Sequence, residues 1–412
     1  MLDHLVELTT TLIHPDHEPN ISDETTGTMA PRSRHSKSAS VASVDADGII
    51  ADTDLVNGIM LPPTTPSPVI IAPRSKKASS RSTTSPLAQP VVVIPAKHTE
   101  SHHQEIEILK LVGAVILSTV LEGGLQTAAS FVAAGDVAAV SKSANNWVEI
   151  AGLLAWKIVK LTLYWFAGFD AYDVGSITLL LSTPHTILLG LFYRIHPISL
   201  ATTTLSSILA NSTPYFFLRS LSPAHAPGSA PKSSLRNRPI LTDPYTNIAT
   251  SLLATAIFAV LVEAALATFL PTWLATNFIG LRTLEKAHLG AGGLPILLAA
   301  LIPAGVATME FLFAPSTAAG NHPIPPPDFD PVTADFLEHL FHNAWGWYSP
   351  RQKALISRAG MLTYLIVVET MICTWGTMTG VEFLGALGYA GIWGVGVILT
   401  AAALDWVGGP SD

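Results

Sequence analysis

Three glutamates stand inside apolar runs, where a carboxyl needs a counter-ion, a bound proton or a water-filled cavity: Glu122, Glu263 and Glu369. Each follows two aliphatic residues, with Leu or Ile three places later and Thr five places later. Such a recurrence is what an internal repeat around a midplane site would leave, although apolar helices reuse few residue types and coincidence explains it as well. At helical spacing Glu122 shares its face with Ser118, Thr119, Gln126 and Ser130, a polar stripe fit to line a wet path or to bond neighbouring helices. Glu263 is surrounded by Ala, Val and Leu, and Glu369 has Cys373, Gly376 and Thr377 nearby.

The natural counter-ions are Lys157 and Lys160, which share one helix face with Tyr164. Two lysines facing a bundle interior can pair with two of the three glutamates and fix helix register, because polar groups in membranes commonly serve as glue. The alternative use of Glu122, Lys157, Lys160, Glu263 and Glu369 is to bind a substrate or ion and to move a proton. A second cluster, Glu338, His339 and His342, places two imidazoles three apart on one helix face. His339 and His342 are weak metal-ligand candidates, since a catalytic metal normally takes a third ligand and a defined cavity. His98, His102 and His103 form a looser group of the same kind. The chain has no phosphate-binding glycine loop with lysine, no His-Glu-x-x-His and no Cys-x-x-Cys, so no cofactor is implied.

Segments of about twenty mostly apolar residues must position these groups. About eight are legible: 109–134, 147–169, 174–193, 198–218, 248–278, 294–313, 355–378 and 383–407. The second is weakened by its lysines and the fourth by its hydroxyls and amides, so either is open to an interfacial or re-entrant reading. Arg219, Lys232, Arg236 and Arg238 follow the fourth segment, and Arg351, Lys353 and Arg358 open the seventh. Basic residues near span ends favour the cytosol, and eight crossings from a cytosolic N-terminus put both groups there. The other side then holds only Lys142, Arg194, Arg282 and Lys286. Trp147, Trp273, Trp345, Trp347 and Trp406 fall near segment ends, as an aromatic belt requires. Within the connection 315–353, Phe336, Leu337, Leu340 and Phe341 make an apolar stripe at helical period, which predicts an amphipathic helix on the cytosolic leaflet or against the bundle. Small residues four apart in the last segment, among them Ala386, Ala390 and Gly394, allow close helix approach, most simply within the chain.

The composition agrees. Of 412 residues 49% are hydrophobic and only 13% charged, with a mean hydropathy of +0.42, which does not suit a soluble enzyme. Every Trp, Tyr and Phe lies beyond Glu105, and the preceding stretch is rich in Ser, Thr and Pro, with two basic-serine clusters open to phosphorylation. The net charge of −8 offers no basic footprint for nucleic acid, and the single cysteine, Cys373, excludes an intrachain disulfide or a thiol zinc site.

The sequence thus predicts an all-α, polytopic membrane bundle of about eight transmembrane helices, residues 106–412, with cytosolic connections at 219–245 and 315–353. It follows a disordered cytosolic tail, residues 1–105. The expected partners are the lipid bilayer and cytosolic proteins that bind the tail, in an intracellular membrane such as the endoplasmic reticulum, with the oligomeric state undetermined. The expected role is non-catalytic organisation, assembly or tethering; the runner-up is a proton- or ion-coupled small-solute transporter using Glu122 with Lys157 and Lys160; the third is a lipid-modifying membrane enzyme.

Overall fold

The computed structural model describes residues 97–132, 137–142, 147–231, 234–288, 290–320, 329 and 332–408. The Ser/Thr/Pro-rich tail up to residue 96 and the basic-serine clusters lie outside them. The rest forms one compact unit, Ala96–Asp412. It is helical, and only two isolated antiparallel bridges occur among the described residues.

The long helices follow the apolar segments. They are α1 (Lys97–Val132), α2 (Trp147–Phe166), α3 (Ala171–Phe192), α4 (Pro197–Leu218), α5 (Pro244–Ala267), α6 (Leu294–Ala319), α7 (Pro350–Gly376) and α8 (Phe383–Val407). Six of them, all but α2 and α4, contain a stretch long and apolar enough to cross a membrane. The count of about eight is therefore supported only for six by length and composition. Glu149, Lys157 and Lys160 set α2 apart, and the hydroxyls and amides set α4 apart.

Local chemistry sets the boundaries. α1 begins at Lys97, so its first nine residues fall in the segment expected to belong to the tail. Asp170 caps α3 by accepting from the Asp173 amide, Asp243 caps α5, and Ser349 with Gln352 forms a capping box at α7, where Pro350 takes the first turn. The fifth segment is not one helix: α5 stops at Ala267 and a short helix, Leu270–Asn277, follows. Thr268 leaves helical geometry there, and Pro271 lacks the N–H that would continue the ladder. α6 and α7 each carry a π-turn, at Met309–Phe313 and Ile372–Gly376, which loosens the helix near one end.

α3 lies at the centre, packed against α4, α6 and α7, while α5 packs on α6 and α8 on α7. Gly388 and Gly396 of α8 are used inside the chain: a Cβ on Gly388 would stand 2.6 Å from the Trp273 ring, and one on Gly396 2.7 Å from Phe258. Trp273 is thereby a packing residue, donating from Nε1 to the Gly385 carbonyl.

The connections gather at two ends. At the first, the Ser222 amide donates to Asp170, the Arg351 amide to the Gly320 carbonyl, and the Arg351 guanidinium to the Leu404 carbonyl. At the second, the Lys142 amide donates to Thr377 O, the Ile279 amide to Gly380 O and the Arg282 amide to Phe192 O. α2 and α4 each run from the second end to the first, so both traverse the bundle.

Candidate functional site

α1 and α4 explain each other's polar residues. Ser118 donates to Asn211 Oδ1 at 2.8 Å, Gln126 to Ser207 at 3.0 Å and to the Thr203 carbonyl, and Ser207 to Glu122. Buried polar groups need partners, and each helix supplies those of the other.

Lys157 of α2 pairs with Glu122 of α1 and donates to the Ser118 carbonyl. One turn on, Lys160 pairs with Glu369 Oε1 of α7 at 2.6 Å, and Trp156 donates to the other Glu369 oxygen. Four of the five residues singled out as substrate- or ion-binding candidates thus meet around one cavity of about 200 Å³, which Ser207, Tyr164 and Cys373 also line. Glu263 does not. It is half-buried on α5, with no hydrogen bond or ion pair among the described residues, so the recurrent context of the three glutamates does not correspond to three equivalent positions. The cavity holds two cations and two carboxylates, each acid already matched. That arrangement ties three helices together, and it also leaves room for water or a small polar solute.

His339 and His342 do not assemble a site of that kind. Phe329 stacks on the His342 ring at 4.0 Å and meets His339 edge-on at 5.1 Å. Among the described residues, the grouping with three ligand atoms close enough for a metal lies elsewhere, at Asp170, Asp173 and His225. In the sequence Asp170, Asp173 and His225 have no metal-ligand spacing. The signal available was an Asp at an N-cap with a second Asp three places on; a histidine in a Pro/Ser-rich connection carries none.

That cluster is already occupied by protein groups. Arg358 Nη1 lies 2.5 Å from Asp173 Oδ1 and its Nη2 3.2 Å from Oδ2, while Nη1 also donates to the Phe311 carbonyl. The guanidinium lies over the rings of Phe169 and Phe311. His225 meets Asp170 Oδ2 at 2.7 Å through Nδ1 and donates from Nε2 to the Glu310 carbonyl at 3.2 Å, with Tyr172 stacked on its ring. Burial works against both charged forms. For Asp170 the hydrogen bond and charge of His225, with the amides of Asp173 and Ser222, win and hold the carboxyl well below the usual carboxylate range. For His225 burial lowers the pKa, but Asp170 and Asp173 more than reverse this and raise it to about 9. With Arg358 and His225 set against Asp170 and Asp173, and the Glu310 carboxyl 3.8 Å from His225, the cluster is a charged latch joining α3, α6, α7 and the connection after α4.

The fold is that of an all-helical, membrane-type bundle with buried ion pairs. Residues 243–407 match the family described as the Bouquet formation protein 3 C-terminal domain. The matched stretch is less than half of the chain; it starts at the cap of α5 and ends with the last residue of α8. No curated protein and no solved structure matches the chain.

Proposed function

We propose that the protein is a non-catalytic, multi-pass organising component of an intracellular membrane, acting in bouquet formation as the name of the matched family describes. The observation that carries this reading is the match over 243–407, which covers α5 to α8 as whole helices. The charge chemistry supports it: Glu122, Glu369 and Asp173 are each held by a cation of another helix, the use expected of structural glue. In this reading the chain crosses the membrane eight times with both termini cytosolic, and cytosolic partners bind the tail of residues 1–105, with the 315–353 connection on the same side. The traverse of α2 and α4 supports that count, as does the basic content of the first end, with Arg219, Arg236, Arg238, Arg351 and Lys353.

The test is co-purification from detergent-solubilised membranes of the full chain and of a chain lacking residues 1–105. The reading expects a defined set of cytosolic proteins held on the membrane by the full chain and released by the truncation, with lipid composition unchanged. A changed lipid composition with an unchanged partner set would contradict it.

The cavity beside Glu122 favours one second reading, a proton- or ion-coupled carrier using Glu122 with Lys157 and Lys160. Loss of solute flux in Glu122→Gln at normal protein abundance would favour the carrier; unaltered flux would favour the organising role.

A further inference from the structure

The short helix Phe336–Phe341 opens on a capping box, Asp335 with Glu338, and continues into a π-turn at His342–Gly346. Its side chains divide by face: Phe336, Leu337, Leu340 and Phe341 on one, Asp335, Glu338, His339 and His342 on the other. None of its residues is buried against the bundle: Phe336 is 74% exposed, Phe341 67%, and Trp347 just beyond 82%. A stripe of this size left in water is costly, and the bundle of the same chain does not cover it.

Two observations indicate what does. Eight residues separate Phe341 from Pro350, five of them in the π-turn, so the stripe stays within about 20 Å of the first turn of α7. The same end of the bundle carries exposed aromatics at helix ends, Tyr172, Phe217, Tyr245 and Trp406, the placement by which amphipathic rings meet headgroups. The stripe adds to them. We infer that the segment 335–348 lies in the plane of the membrane, its Phe and Leu face sunk into the headgroup–acyl boundary of the leaflet next to the first end, with the bilayer itself as the partner. The inference rests on the proposed membrane crossings.

The experiment uses the full chain with Cys373→Ala, which removes the native thiol, reconstituted in vesicles of phosphatidylcholine and phosphatidylserine. Single cysteines at Leu337, Phe341, Glu338 and His339 carry a nitroxide, with Val120 of α1, 69% exposed, as a reference for lipid contact. None of these side chains packs against the bundle, so labelling does not disturb its interior. Accessibility to oxygen, which concentrates in lipid, is compared with accessibility to a water-soluble nickel chelate. The expected result is an oxygen preference at 337 and 341, as at 120, and a nickel preference at 338 and 339. Nickel preference at all four positions, or protection of 337 and 341 from both reagents by a protein partner or a second copy, would overturn the inference while leaving the crossings intact. Nickel preference at 120 as well would overturn the crossings themselves.

Discussion

Lys160 and Trp156, one turn apart on α2, take the two oxygens of Glu369 on α7, Lys160 at 2.6 Å. The acid is thus bound by one helix face with both a charge and a neutral donor, which fixes the rotation of α2 as well as its distance from α7. Lys157 makes the corresponding contact to α1 on the same face. Aliphatic packing alone leaves a helix free to rotate against lipid, where no hydrophobic force drives association, so register falls to such polar contacts.

The largest single effect is expected at Arg358. Asp173 is fully buried, and Arg358→Leu removes both of its close guanidinium contacts, leaving only His225 at 3.9 Å, while also freeing the Phe311 carbonyl. A loss of about 3–5 kcal/mol follows from breaking a buried pair on one side only. Asp173→Leu together with Arg358→Leu should recover part of it. Thermal unfolding of the detergent-solubilised protein measures both, and equal losses in single and double variants would remove the latch from the account.

The His225–Asp170 contact gives stability a defined pH window. His225 is raised from 6.5 to about 9, so its contribution is complete below about 6.5 and is lost as pH rises through 9. Asp170 is lowered, so its contribution is present above its ordinary value of 3.8 and disappears only as pH falls into the strongly acid range. Melting temperature should therefore decline on the alkaline side between pH 7 and 10, and His225→Gln should flatten that decline. An unchanged slope in His225→Gln would assign the alkaline loss to other groups.

Close helix approach can be tested at two glycines. A Cβ on Gly305 of α6 would meet the Thr255 hydroxyl and the Ser251 carbonyl of α5, whereas one on Gly391 of α8 meets nothing within 4 Å. Gly305→Ala should cost about 1–3 kcal/mol through overpacking, and Gly391→Ala should be neutral within error. Similar melting temperatures for the two variants would show that α5 and α6 are not in the close contact described.

Much of the helical layout was legible because lipid-compatible helices carry a strong signal in every residue: α8 begins and ends where the apolar run does. The pairing of Lys157 and Lys160 with glutamates was legible for a similar reason, since charges in apolar runs are few and must find partners. Which glutamates they choose was not: the neighbours of Glu263 and Glu369 differ along the chain, but neither set tells which helix faces α2. The break at Thr268 was hidden by continued hydrophobicity on both sides, although Pro271 marked it. Arg358 reads in sequence as one more basic residue at a segment entrance, and His225 as a loop residue. Their partnership with Asp173 and Asp170 exists only once three distant segments meet.

The central claim is that the embedded charges hold helices together and do not carry a solute. Exchanging the partners of one pair tests it directly, with Glu122→Lys and Lys157→Glu made singly and together, reading melting temperature and solute flux in vesicles. The account predicts that each single variant is destabilised, that the exchanged pair recovers most of the stability, and that flux is unaffected throughout. Stable single variants, or an exchanged pair that is stable but has lost a flux present in the native protein, would contradict it.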